Sequence, residues 1–255
     1  MIQDFLKNLQ NARARWYKWN TQVSSGKKLQ RPSDGPADSA RLVRIRDEVS
    51  RINQYYRNIN RGDAKLSNAS AALNTLRNTT MRITERAGYA LTGTTSDESR
   101  KAIANELRGV LDGIVQIART SVDGLYLFSG TSVQTDPVER NPDGSFSYAG
   151  DSETMEIEIT EGEQVQVNVS GDEVFLNSGG DLLNSVKELI DAIDSSQLDD
   201  AQLALGKVVE AGKQIDRARF EISHGLQKTE AARQRLNDRM VELTSEVSNL
   251  EDADM

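Results

Sequence analysis

No cysteine occurs among the 255 residues. That excludes a disulfide framework, a thiolate metal site and a cysteine nucleophile, and leaves the redox compartment open. Aromatic residues make up only 5% of the chain, so the core is expected to be thin and aliphatic rather than a thick globular centre. No apolar run approaches the roughly 18–20 residues of a membrane span, so the chain reads as soluble, with no membrane partner. Met1 to Val23 also lacks the continuous apolar stretch and small-residue cleavage site of a secretory signal, its apolar residues being spaced as Ile2, Phe5, Leu6 and Leu9. The four prolines fall in two places, Pro32 and Pro36, then Pro137 and Pro142. Proline has no amide hydrogen and clashes with the preceding helical turn, so helices are expected to run freely elsewhere.

What the chain does have is one pattern at both ends and another in the middle. From Leu42 a seam in steps of three and four runs through Ile45, Val49, Ile52, Tyr56, Ile59, Asp63, Leu66, Ser70 and Leu73. A second runs Ile222, Leu226, Thr229, Arg233, Leu236, Met240, Leu243, Val247 and Leu250. Such a seam must bury itself against another helix, so the two ends are predicted to bury each other, Leu236 to Leu250 against Leu42 to Ile59. A helix over 37–91 would reach about 80 Å and need neighbours along its length. Ser96 with Ser99 starts a further helix carrying Ile103, Leu107, Val110, Leu111, Ile114 and Ile117 on one face. Gly109 and Gly113, four apart, are expected to thin that helix where another packs across it.

From Leu125 the period changes. Leu125 to Ser129 reads as a strand closed by Gly130, and 145–148 as a strand after an Asn-Pro-Asp-Gly turn. The runs 155–159 and 165–169 read as a hairpin with one buried and one solvated face, and a last short strand is expected at 173–176. Helical period returns at Leu182, Leu183, Val186, Leu189, Ile190 and Ile193, followed by a long final helix from about Asp199. The fold class is therefore mainly α with a β-rich insert: an elongated antiparallel helical bundle or coiled-coil rod built from both chain ends, plus a small β domain. The expected domains are 1–36 (N-terminal helix and polar bend), 37–130 with 181–255 (helical rod), and 131–180 (β-rich outer domain).

Residues 1–31 carry seven basic side chains (Lys7, Arg13, Arg15, Lys18, Lys27, Lys28, Arg31) against Asp4 alone, whereas 131–181 carry twelve acidic ones against Arg140 alone. An acidic lobe would repel nucleic acid, and the basic arm is sparse for that partner, so none is expected. The single histidine, His224, has no second ligand or paired nucleophile beside it and reads as structural. Glu139, Asn141, Asp143 and Gly144 start like a calcium loop, but Gly150 stands where a bidentate glutamate is required, so a β-turn is the better reading. The triplets Asn68-Ala-Ser70, Asn78-Thr-Thr80 and Asn168-Val-Ser170 fit glycosylation by chance spacing. Phosphate-binding glycine loops, zinc spacings and nucleophile elbows are missing. The sequence argues against an enzyme and calls for no metal or cofactor.

Four segments carry a resemblance: Ser24-Ser-Gly-Lys-Lys-Leu-Gln-Arg-Pro-Ser-Asp-Gly-Pro36; Gly124-Leu-Tyr-Leu-Phe-Ser-Gly-Thr131; Asp143 to Asp151, followed by Gly162 and Val165 to Val169; and Asn249-Leu-Glu-Asp-Ala-Asp254. In this order they resemble the flagellar hook-associated protein 3 family, hook–filament junction proteins of the flagellin superfamily, with Gly35 where an aspartate is usual. The resemblance implies an axial rod of α-helices, an outer β-rich domain, and self-assembly into a ring. It implies export unfolded through the flagellar type III pathway to an extracellular place in the bacterial flagellum. The implied partners are other copies, hook-associated protein 1 on the hook side and flagellin on the filament side. The family continues past this last element with another apolar helix, which pairs with the N-terminal helix and binds the export chaperone; a truncated chain that has lost that site is therefore expected. Met1 to Val23 then has no partner within the chain, and a monomer in solution is expected, with that segment mobile or packed on a neighbour. Arg31, Ser33 and Asp34, in the polar bend, are candidate subunit contacts. The alternatives are a flagellin, which shares the helical ends and polymerises indefinitely, and a coiled-coil signalling or nucleic-acid-binding protein with the basic arm as its contact.

Overall fold

In the computed structural model, which describes residues 2–29, 31, 33, 35–177 and 180–252, the chain is mainly helical with four small antiparallel two-stranded sheets among the described residues. Helix α1 spans Ile2–Ser25. Helix α2 spans Pro36–Ala90, with proline at the first helical position, where its missing amide costs nothing. Helix α3, Asp97–Ala118, starts at Ser96, whose side chain accepts from the Ser99 amide. The guanidinium of Arg100, buried in this turn, closes the end of α2 by donating to the carbonyls of Ala90 (3.2 Å) and Thr92 (3.5 Å) and to Asp97 (2.9 Å). A charge can be buried there because each face of it meets an acceptor. After the β-rich stretch come α5, Leu182–Asp194, and α6, Leu198–Glu251.

The chain packs into two compact units, residues 1–57 with 232–255, and residues 58–231. In the first, α2 and α6 run antiparallel, with Glu48 paired to Arg239 (2.7 Å) and Arg41 to Glu246 (3.1 Å). Leu42, Ile45, Ile52, Leu236 and Leu243 are buried, while Val49, Met240, Val247 and Leu250 are half-buried. In the second, Ile59, Leu66, Leu73, Leu76 and Ile83 of α2 are buried, and α3 and α5 pack on each other. Each such side chain contributes about 1.5–3 kcal/mol on burial. The hydroxyls of Thr75, Thr79, Thr80 and Thr84 bond back to carbonyls one turn earlier, so the buried Thr80 brings no orphaned polar atom into the core.

The β-rich stretch belongs to this second unit together with 58–130 and 181–231. Strands β1 (Ser121–Val122) and β2 (Leu125–Tyr126) pair, as do β3 (Val138–Arg140) and β4 (Phe146–Tyr148). Strands β5 (Glu156–Thr160) and β6 (Glu163–Gln166) form the hairpin, turning at Glu161-Gly162 because Glu163 already pairs with Thr160. Ile159 and Val165 point inward, while Glu156, Glu158, Gln164 and Gln166 face water. The hairpin lies on α2 at Gly62, where a Cβ would come within 2.4 Å of Ile157.

Three local expectations fail. The segment expected as a strand over 173–176 is a short helix α4, Gly171–Phe175, leading into β7 (Leu176–Asn177), which pairs with β8 (Gly180–Asp181). Burial of Val174 and Phe175 on one helical face outweighs their strand preference. Of the Leu125 to Ser129 run only Leu125 and Tyr126 form a ladder. Phe128 and Ser129 instead sit fully buried in a knot, with Phe128 edge-on to Phe175 (centroids 5.3 Å apart). Gly109 and Gly113 face open space rather than a crossing helix.

Asp151 ties the knot. It accepts from the amide and hydroxyl of Thr131 (2.7 and 2.9 Å) and of Ser132 (2.8 and 2.6 Å), and from the Glu153 amide (3.1 Å). Its backbone carbonyl accepts from Ser170 Oγ (2.9 Å), with Tyr148 Oη at the same distance. The Ser132 hydroxyl and then the Thr131 amide hold the Asp151 carboxyl far below the usual carboxylate range. At the calcium-like segment, Asp143 accepts from the Ser145 amide (2.9 Å) and hydroxyl (2.6 Å), closing the β3–β4 turn. Asn168 is likewise occupied, accepting from the Met155 amide (2.7 Å) and donating to the Glu153 carbonyl (2.9 Å).

Candidate assembly surface

The clearest unfinished surface is α1. Its heptad positions are Ile2, Phe5, Leu9, Ala12, Trp16, Trp19 and Val23, again in steps of three and four. None of its residues is buried, and the large ones on this stripe are each at least 45% exposed. Both tryptophans of the chain lie there. Lys7, Arg13, Arg15 and Lys18 share the helix, against Asp4. A contiguous apolar stripe bordered by charge is the signature of an interaction face, and covering each side chain yields about 1.5–3 kcal/mol before the cost of association.

Beyond α1 the chain bends toward α2, and here two motifs far apart in sequence meet. Glu251, only 7% exposed, accepts from Lys27 Nζ at 2.9 Å and is also paired with Arg46. Its backbone carbonyl accepts from the Lys28 amide at 2.6 Å, and Lys27 forms an antiparallel bridge with Asp252. Gln22 Nε2 donates to the Lys28 carbonyl (2.9 Å), securing the bend to the last turn of α1. The Ser24-Ser-Gly-Lys-Lys segment is thus clasped by the Glu-Asp pair at the end of α6. Sequence reasoning missed this clasp; its only signal was that both segments stood out as motifs. Arg31 and Ser33 are exposed in the bend, and Asp34 lies outside the described residues.

The Lys27 hydrogen bond, with Arg46 behind it, holds the Glu251 carboxyl below the ordinary glutamate value of 4.5. A carboxylate depressed in the folded state stabilises it at pH above the unfolded value, and that contribution is lost as pH falls through the lower folded value. The protection of the Lys28 amide against hydrogen exchange, corrected for intrinsic rate, is therefore expected to stay level from neutral pH down to about 4.5 and to fall below it. Glu251→Gln should lower it at neutral pH. A pH-independent protection would show that the clasp does not hold the bend.

His224 is exposed and stacked on Phe220 (centroids 6.4 Å apart). Among the described residues no group of three or more His, Asp or Glu could hold a metal ion, and no helix is long and apolar enough to cross a membrane.

Comparison with known proteins bears on this arrangement. The family model for the bacterial flagellin N-terminal helical region matches residues 1–133. The flagellar hook-associated protein 3 of Salmonella typhimurium is 25% identical over 259 residues, taking in 96% of this chain and 80% of that protein. Its Escherichia coli counterpart is 26% identical over 176 residues, 69% of this chain, and the match spans only 55% of that relative's length. Among solved structures, a putative flagellar hook-associated protein from Vibrio parahaemolyticus superposes with a TM-score of 0.75 at 20% identity, covering 84% of this chain and 98% of that one. The fold is shared with that protein, and the resemblance carried by residues 24–36, 124–131, 143–169 and 249–254 agrees with the relatives found.

Proposed function

This chain belongs to the flagellin family, matched through its N-terminal helical region, and from that membership we propose that it is a structural subunit of the bacterial flagellum acting at the junction between hook and filament. The observation that carries the reading is the bare heptad face of α1, none of whose residues is buried among the described residues. Copies assemble into a ring by covering that face with helices of neighbouring subunits. The alignment with a hook-associated protein 3 across nearly the whole chain, β-rich insert included, favours the junction over the filament.

On this reading the protein works by packing rather than catalysis. Its partners are further copies, hook-associated protein 1 toward the hook and flagellin toward the filament, and it reaches them by type III export. Arg31, Ser33 and Asp34 make polar contacts between subunits, since the bend that carries Arg31 and Ser33 is exposed and clasped in place by Glu251. Antibody raised to the β-rich insert is expected to label sheared flagella only where hook meets filament. Labelling along the whole filament, or filament growth from the purified protein alone, would instead make it a flagellin, the reading favoured by the name of its family model.

A further inference from the structure

Two surface features of residues 58–231 fit one another. The first is an apolar cavity of about 360 Å³ beside α2, walled by Ala64, Val122, Leu127, Val133, Met155 and Val167. Arg61 and Lys65 stand at its mouth. Lys65 Nζ lies 3.3 Å from Met155 Sδ, a weak acceptor, and neither cation has a carboxylate partner among the described residues. Asp123 is also at the mouth, leaving the rim net positive. The second feature is Leu203 on α6, 70% exposed. Asp199 and Asp200, one turn before it in the first turn of the helix, have no cationic partner among the described residues. Three residues beyond, Gly206 leaves the helix backbone open to approach.

We propose that Leu203 of one copy seats in the cavity of the next, with Asp199 and Asp200 against Arg61 and Lys65. This rests on the ring reading above, since a ring is what brings copies side by side. The chemistry is complementary twice over: an aliphatic knob for an aliphatic hole, and two unpaired carboxylates for two unpaired cations. The apolar contact supplies the dry centre, and the charges at its edge set orientation and reject misaligned neighbours. The two surfaces share no residue and stand on different elements, so the contact is heterologous, the kind that runs from copy to copy and closes into a ring when the rotation permits.

The absence of cysteine makes the test direct. Chains carrying Leu125→Cys, on the cavity wall and 38% exposed, and chains carrying Leu203→Cys are co-expressed, and the isolated flagella are oxidised. A disulfide needs Cα atoms within about 7 Å, so a Leu125→Cys/Leu203→Cys dimer is expected, and none when Phe220→Cys, 68% exposed, replaces Leu203→Cys. Adding Arg61→Glu and Lys65→Glu to the first chain should cut the yield about tenfold, and Asp199→Lys with Asp200→Lys in the second should restore it. If both variants enter the flagellum and the dimer is no more abundant than with Phe220→Cys, the contact is wrong while the junction reading stands. If the unaltered chain never enters the flagellum, both fall together.

Discussion

Glutamate at Leu9, Trp16 and Trp19 is expected to abolish incorporation of the chain into the flagellum while leaving the stability of the isolated protein within about 0.5 kcal/mol of the parent. Substitutions in a protein core do the opposite, because they cost stability first and function as a consequence. The difference here is that α1 buries none of its residues, so three charges on its stripe disturb no core and remove only the edge-on contact of Trp16 with Tyr17 (centroids 5.3 Å apart). In an assembly the same positions would be desolvated against another helix, where each unpaired carboxylate costs several kcal/mol. Because both tryptophans sit on this face, at 62% and 67% exposure, the parent chain supplies its own reporter. Its tryptophan emission should be that of solvated indole when isolated and should move to shorter wavelength on assembly. A melting temperature several degrees below the parent in the triple variant, or blue-shifted emission from the isolated parent, would mean that α1 is already covered in the free chain.

Phe128→Ala is expected to cost about 3–5 kcal/mol, measured as the shift in denaturant midpoint at unchanged slope. The ring is fully buried, stacks edge-on against Phe175, and shares its core with Val167, Val169 and Val174. Nothing nearby can collapse into the space, because the adjoining backbone is pinned: the Gly171 amide donates to the Phe128 carbonyl (2.8 Å) and the Asp151 amide to the Ser129 carbonyl (3.2 Å). Gly130→Ala attacks the same knot without making a cavity. Its φ of +69° costs an alanine about 1–2 kcal/mol, and the new Cβ would lie 2.1 Å from both the carbonyl oxygen and Oδ1 of Asp151. Asp151 must then leave the Thr131 and Ser132 donors, so a second destabilisation adds to the first. If Phe128→Ala lost less than about 1 kcal/mol, the range expected of surface changes, the knot would not be what holds the β-rich stretch. Acid should erode it, because as pH falls below the ordinary aspartate value of 3.8 the unfolded chain takes up a proton that the folded Asp151 carboxyl, held far lower by its donors, does not, so the contribution of the knot is lost progressively.

The architecture of helices at both ends and hairpins between was legible because period is local. Leu42, Ile45, Ile52, Ile59, Leu66 and Leu73 announce a helix face by spacing alone, and those same positions are buried. Alternation of Glu and Ile placed β5 to within one residue, whereas β6 runs Glu163–Gln166 rather than over 165–169, because Glu163 already pairs with Thr160 and the ladder ends at Gln166. The segment 125–129 misled because its apolar run looks the same whether it pairs as a strand or folds inward. What decides is Phe175, Asp151 and Tyr148, each distant in sequence from the run. The helix over 171–175 was hidden for the same reason, since five residues show no period.

The candidate surface divides along the same line. That α1 stands without a partner was an expectation carried by the family resemblance, not by the spacing of Ile2, Phe5, Leu6 and Leu9, whereas the basic excess of 1–31 is plain from composition. The sequence by itself determined the long helices, the fold class and the charge of the N-terminal arm, because hydrophobic period and charge count are properties of neighbours in the chain. Tertiary structure alone decided that Lys27 meets Glu251 across 224 positions, that Asp151 gathers Thr131 and Ser132, and that Arg61 and Lys65 overhang an apolar cavity. Hydrogen bonds and ion pairs act over about 3–4 Å, and which side chains come that close follows only after the two ends of the chain have packed.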